Sequence, residues 1–329
     1  MSWRAFLRHL ITTLLLLFFS AAAGAAQTAV PSYPTRPIRL LVPFAPGGGL
    51  DALARIISPK LTEAMGQSWI VDNRPGAAGN LGAEIVTRAN PDGHTVLMAL
   101  SQQLTVNPSL YKLSFSVERD LKPVTMLAVA EFVLVVHPSV QARTLKDFIT
   151  VAKQKPGVLN YASSGVGTPL HLAIELLKKR AGIELIHVAY KGGGPAVAAV
   201  LAGESQVLAG TVSSMISYVT AGRLHALATI GAKRSNVLPD LPTVAESGYP
   251  GYEADSWFGL LVPSATPKSI VERIRSESIK ALQYPDVQTA LRRQGLNPET
   301  STLEELAARV KREAATWAVL IKDARIRAE

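Results

Sequence analysis

The chain has 329 residues, a formal charge of +9, no cysteine, 48% hydrophobic residues and 18% charged residues. This length points to two domains and the composition to a globular α/β protein. The lack of cysteine excludes disulfides, thiolate metal sites and cysteine nucleophiles. Aromatic residues make up only 6% and are not interleaved with basic ones, which argues against nucleic acid as a partner.

The first 26 residues read as a secretory signal. Arg4 and Arg8 precede the apolar run Leu10–Phe19, and small residues from Ser20 to Ala26 follow. Cleavage is expected near Ala25 or Ala26, which marks the mature protein as secreted and lowers its charge to +7 by loss of Arg4 and Arg8. A membrane anchor is the alternative reading. The apolar core is shorter than the ~20 residues a spanning helix needs.

The mature chain then alternates between strand and helix signals. Pro37–Pro43 is an apolar run suited to a buried strand, Phe44–Gly49 is a turn, and Asp51–Leu61 has helical apolar spacing. Strand or helix signals follow at 69–71, 82–88 and 95–99, and Phe132–Val136 reads as a buried strand. A second strand–turn–helix unit runs through Leu159–Ala162, Ser163–Thr168 and Pro169–Leu177, with Pro169 where its missing N–H costs nothing. Further signals fall at 184–188, 195–202, 206–208, 213–221 and 224–229, and another strand at Ser256–Val262. Three helical segments, near 267–283, 285–295 and 302–325, complete the chain. The alternation implies parallel sheets covered by helices. No low-complexity linker is present, so two domains joined by more than one crossing are expected, with Phe132–Val136 and Trp257–Val262 as the crossing strands.

Three glycine-rich turns carry the candidate chemistry. In Pro43–Asp51, Gly47, Gly48 and Gly49 let a ligand approach the backbone closely. The N–H groups of the helix that follows favour an anion. Asp51 caps that helix or orders the loop. In Ser163-Ser-Gly-Val-Gly-Thr168 three hydroxyls are added, with His171 one helical turn on. The third turn, Tyr190-Lys-Gly-Gly-Gly-Pro195, offers Lys191 as a charge and Tyr190 as a hydroxyl or ring wall. Each has a plainer reading as a tight turn or an ordinary cap. Asn73–Asn80 reads as a rim loop in which Arg74 is structural. The first turn has neither the G-x-G-x-x-G nor the Gly-Lys-Ser/Thr spacing. Ser164 is not in a G-x-S-x-G elbow, and the six histidines show no metal spacing. The expectation is a binding protein with no catalysis, no metal and no cofactor.

The run Tyr33-Pro-Thr-Arg-Pro-Ile-Arg-Leu-Leu-Val-Pro-Phe-Ala-Pro-Gly-Gly-Gly-Leu-Asp51 resembles the start of the mature Bug proteins, periplasmic receptors of tripartite tricarboxylate transporters. The resemblance continues through Val71–Asn80, Tyr161–Thr168 with His171, Tyr190–Pro195, Leu238–Gly248 and Trp257–Leu260, covering essentially the mature chain. It implies a type II periplasmic-binding-protein fold, α/β, with two doubly wound domains joined by crossing strands. On this basis domain 1 is 27–130 with 256–329, and domain 2 is 131–255. The family holds a ligand carboxylate mainly by main-chain amides, hydroxyls and waters. By position Phe44, Ala45, Gly47, Gly48 and Asp51 fall in one jaw. Ser163, Ser164, Gly167, Thr168 and His171 fall in the other, with Tyr190 beside them and Ser101 on the floor. Many relatives carry an Asp after the 206–208 strand, where this chain has Ala209-Gly210-Thr211; near Ser101 it has Gln102-Gln103-Leu104. Both departures fall at the distal end of the pocket, around Ser101 and around Gly210 and Thr211, and imply a mono- or dicarboxylate ligand and not a zwitterionic amino acid. The implied partner is a tripartite carboxylate permease. A sensor kinase domain is the alternative reader of the closed form, and a monomer is expected.

Overall fold

A computed structural model describes residue 3 and residues 33–327. The proposed signal segment and its cleavage site lie almost wholly outside the described residues.

The apolar run Ile38–Val42 forms β1, with four of its five residues buried. It pairs in parallel with β2 (Trp69–Asn73) on one side and β3 (Thr95–Leu100) on the other. The crossovers are α1 (Gly49–Met65) and α2 (Asn80–Thr87). Short helices α3 (Ser101–Thr105), α4 (Asn107–Leu110) and α5 (Val117–Asp120) lead into β4 (Leu121–Ala130). The chain passes through Glu131 alone into β5 (Phe132–Val136), which belongs to a second sheet.

That sheet is filled by β6 (Asn160–Ser163), β7 (Ile186–Ala189), β8 (Val207–Thr211) and β9 (His225–Thr229), in the order β7-β6-β8-β5-β9. Its helices are α6 (Leu145–Gln154), α7 (Pro169–Ala181), α8 (Gly193–Leu201) and α9 (Val212–Thr220). The chain then returns to the first sheet as β10 (Ser256–Pro263), every residue of which is buried. It ends in α10 (Lys268–Gln283), α11 (Pro285–Arg293), β11 (Leu296–Pro298) and α12 (Leu303–Asp323). The first sheet has the order β11-β4-β10-β3-β1-β2. Each sheet with its helices is called a lobe below.

The sheets are mixed, not purely parallel as the alternation implied. β10 runs antiparallel to β3 and β4, and β5 runs antiparallel to β8 and β9. The reason is connectivity. A strand arriving from the other lobe needs no crossover helix, so it can lie against its neighbours in the opposite sense. Each lobe has its own apolar cluster. Leu41, Leu97, Met126, Trp257, Leu261 and Leu306 pack in the first, and Val133, Val135, Ala162, Leu208 and Met215 in the second. Each such side chain contributes about 1.5–3 kcal/mol of burial.

Both passages between the lobes are polar. The Glu131 carboxylate accepts hydrogen bonds from Ser235 Oγ, the Asn236 N–H and Asn297 Nδ2. At the return passage, Arg309 of α12 donates to Asp255 (2.5 Å), Glu253 (3.0 Å) and Glu313 (2.6 Å). Trp257 Nε1 donates to both oxygens of Glu313, at 3.1 and 3.0 Å. Among the described residues no helix is long and apolar enough to cross a membrane.

Candidate functional site

All three glycine-rich turns sit at the carboxyl ends of parallel strands, β1, β6 and β7, where each chain turns into a helix. The first is ordered from within. Asp51, 4% exposed, accepts from the Gly47 N–H (3.0 Å), from Arg55 Nε (3.1 and 3.0 Å) and from Asn73 Nδ2 (3.0 Å). Burial pushes the Asp51 carboxyl up, but the bonds from Arg55, Gly47 and Asn73 outweigh it and hold it below the usual carboxylate range. Asn73 Nδ2 also donates to the Phe44 carbonyl (3.0 Å). Asp51 and Asn73 therefore shape the turn, and Gly47 takes the left-handed φ of +92° that lets its N–H point back to Asp51.

What remains free is backbone. Helix α1 starts after Gly48 with no side-chain cap, and Ala45, Gly48 and Gly49 are exposed. Their N–H groups donate to nothing among the described residues. Phe258, the third residue of β10, lies under Gly49, and the Phe44 ring lies against Gly79.

The rim loop is more constrained than the sequence suggests. Gly76, Ala77, Ala78 and Gly79 all have positive φ, at 146°, 49°, 53° and 86°. Two consecutive alanines in this region are costly, at roughly 1–2 kcal/mol each. Buried side chains hold them there: Gln103 Nε2 donates to the Gly79 carbonyl (2.7 Å), and Asn107 Nδ2 to the Ala78 carbonyl (3.0 Å) and Asn80 Oδ1 (2.6 Å). Arg74 is exposed and paired with Asp72 (3.0 Å), as expected of a structural residue.

The second turn rests on an aromatic stack. His171 and His187 lie 4.0 Å apart between ring centroids, and Tyr161 lies 4.7 Å from His187. His171 Nδ1 accepts the Gly167 N–H (3.0 Å), so its proton sits on Nε2. Burial, with His187 next, pushes His171 down to about 4, and burial lowers His187 too. Both rings are neutral at neutral pH. Tyr161 donates to Glu175 (2.5 Å), which also pairs with Lys178 (2.6 Å).

Ser163, 1% exposed, is fully engaged: its Oγ donates to the Gly165 carbonyl and meets the Gly165 N–H and His187 Nε2. Thr168 Oγ1 donates to the Gly165 carbonyl (2.9 Å). The groups left free are the Ser164 hydroxyl and the N–H groups of Ser164 and Val166. Helix α7 has no side-chain cap either.

The third turn adjoins the second, because the Tyr190 N–H donates to the Ser163 carbonyl (2.9 Å) and β6 and β7 pair in parallel. Helix α8 starts uncapped after Gly192, and Lys191 is exposed. At the distal end, Gly210 pairs with Val133 inside the sheet and faces Met215. Thr211 caps α9 through Ser214. Ser101, 5% exposed, meets Ser256 Oγ (3.2 Å) and the Trp257 N–H (3.4 Å), so it joins the end of β3 to the start of β10.

A cavity of about 680 Å³ lies elsewhere, against α12, and is lined by Leu104, Phe115, Leu121, Leu261 and Val310 among others; none of the turn residues lines it.

Comparison with known proteins identifies the family. The tripartite tricarboxylate transporter receptor family, TctC, matches residues 53–326. A Pseudomonas sp. protein from the tcbD–tcbE intergenic region is 40% identical over 299 residues, 90% of this chain and 89% of its own length. Protein BugT of Bordetella pertussis is 34% identical over 306 residues, 92% of this chain and 94% of its own. Among solved structures, an R. palustris protein with adipate is 33% identical with a TM-score of 0.74, covering 90% of this chain and 99% of that one. MatC from Rhodopseudomonas palustris with bound malate is 28% identical with a TM-score of 0.71, covering 88% and 100%. The chain belongs to the TctC/Bug family of periplasmic solute-binding receptors, and it is a binding protein, not an enzyme.

Proposed function

We propose that this receptor captures a small mono- or dicarboxylate between its two lobes, closes on it, and presents the closed form to a tripartite carboxylate permease. One observation carries the reading. Turns in both lobes open helices without side-chain caps and leave main-chain N–H groups unpaired at Ala45, Gly48, Gly49, Ser164 and Val166. Unpaired amides in these turns, with Gly48 and Gly49 at the start of α1, are complementary to an oxyanion and leave no uncompensated buried cation when the site empties. Ser164, with its free hydroxyl, completes the set. The first lobe, within residues 27–130 and 256–329, and the second, within residues 131–255, are the two bodies that close, pivoting at Glu131 and Asp255.

The relatives solved with adipate and malate support a carboxylate. The distal residues Ala209, Gly210 and Thr211 carry no acid that could meet an ammonium, which favours a ligand with a neutral body over an amino acid. The test is thermal unfolding with adipate, malate and aspartate. A dicarboxylate is expected to raise Tm, by the equivalent of about 2.7 kcal/mol at a hundredfold excess over Kd. Aspartate at the same concentration is expected to have no effect. A panel of mono- and dicarboxylates with no shift anywhere would overturn the reading.

A further inference from the structure

Helix α3 carries two adjacent glutamines that serve different lobes. Gln103 is buried and holds the left-handed turn of the first lobe through the Gly79 carbonyl. Gln102 points the other way, and its Nε2 donates across the seam to the Gly167 carbonyl of the second lobe, at 3.4 Å. The Gly167 N–H is already given to His171 (3.0 Å), so both main-chain groups of Gly167 are fixed, one from each lobe. The approach is tight. A Cβ on Gly167 would stand 2.7 Å from Leu110 Cδ1, and φ of +74° there already favours glycine. Beside this contact α3 and the start of α7 leave a void of only about 10 Å³, lined by Ser101, Gln102, Thr105, Pro169 and Leu172 among others.

We propose that Gln102 is a positioning residue that couples the lobes. By holding the Gly167 carbonyl it ties closure of the cleft to the alignment of the 163–168 turn, whose free amides at Ser164 and Val166 face the ligand. The inference rests on the closing-jaw reading above, and adds to it the contact through which one jaw senses the other. At 3.4 Å the bond is at the long end of hydrogen-bond distances in this structure.

The chain has no cysteine, so two can be introduced cleanly for spin labels. Glu63→Cys in α1 and Lys153→Cys in α6 are exposed positions, one per lobe. The inter-lobe distance distribution is measured in the ligand-free protein, then with adipate and with malate. Gln102→Met keeps the length and removes the donor; Gln102→Lys restores a donor. In the ligand-free state the Met variant is expected to show a broader distribution with a mean several ångströms longer, and the Lys variant to return toward wild type. Circular dichroism and Tm confirm that both fold. If the Met distribution overlays wild type, the coupling is overturned. If wild type ignores every carboxylate while the Met variant still broadens, the closing-jaw reading fails and the coupling stands.

Discussion

Gly48 is the residue at which the proposed carboxylate site and the fold can be tested apart. Its φ of −81° suits any residue, and a Cβ placed there meets nothing within 4 Å. Valine at this position leaves the protein's own packing untouched, yet it covers the N–H groups that open α1. Gly48→Val is expected to unfold within about 0.5 kcal/mol of wild type, as for a surface change away from special features, and to lose carboxylate affinity by more than tenfold in calorimetry. Retained affinity with an intact fold would remove the first turn from the site. Asp51 shows the limit of reading such a turn from its own residues. Its spacing to Gly47 and Arg55, four residues each way, is local, so an ordering role was legible. Asn73 lies 22 residues from Asp51 and 29 from Phe44, and only the β1–β2 register brings it there. Ser163 looked like a ligand hydroxyl beside Ser164. The structure separates them because β6 carries Ser163 inward to His187, while Ser164 is the first residue beyond the strand.

At the scale of elements, the helix starts were legible and the supports beneath them were not. Pro169 and the glycines of each turn marked where α1, α7 and α8 begin to within two residues. The left-handed run 76–79 was hidden, because alanine is a poor signal for positive φ and the strain is offset by Gln103 of α3 and Asn107 of α4, more than twenty residues further on. The histidines looked scattered, yet the register that sets Tyr161 against His187 builds a stack under the second turn. The support beneath the rim loop has a direct test. Gly47→Ala and Gly79→Ala both place alanine at positive φ, with similar conformational cost of about 1–2 kcal/mol. At Gly47 the new methyl meets nothing, whereas at Gly79 it stands 2.5 Å from Gln103 Nε2 and 3.1 Å from Phe44 Cζ. Overpacking adds roughly 1–3 kcal/mol. Urea unfolding is expected to show Gly79→Ala as the more destabilising by that margin. Equal losses would mean that Gln103 does not hold the turn in solution.

For the whole molecule, the three C-terminal helices and the existence of two crossings were legible, while β4 was not. Lys122 and Pro123 interrupt its apolar pattern, and its long pairing with β10 is what makes it a strand. That pairing brings α12 and Arg309 to the return passage, where one guanidinium faces Asp255, Glu253 and Glu313. Burial pushes the Asp255 carboxyl up to about 7 against the pull of Arg309, with Glu253, Glu313 and Glu299 adding to the rise, and burial raises Glu313 as well. The second lobe carries the opposite perturbation, in His171 and His187.

The signs follow from proton counts. Between pH 4 and 6.5 the unfolded chain protonates His171 and the folded one does not, so stability falls as pH falls through this window. Between about pH 4 and 7 the folded chain keeps a proton on Asp255 that the unfolded chain releases, so stability falls as pH rises. Each group tilts the curve by up to about 1.4 kcal/mol per pH unit, in opposite directions. Wild type is therefore expected to be nearly flat from pH 4.5 to 6.5, and single variants to uncover the two slopes. Asp255→Asn cannot ionise, so its stability relative to wild type should improve as pH rises from 5 to 7. His171→Gln keeps an acceptor for the Gly167 N–H but cannot be charged, so its relative stability should improve as pH falls from 7 to 5. Urea midpoints at pH 5, 6 and 7 give both differences. Crossed lines would show that Asp255 holds a proton while His171 refuses one; two flat lines would show that neither group is perturbed in the folded protein.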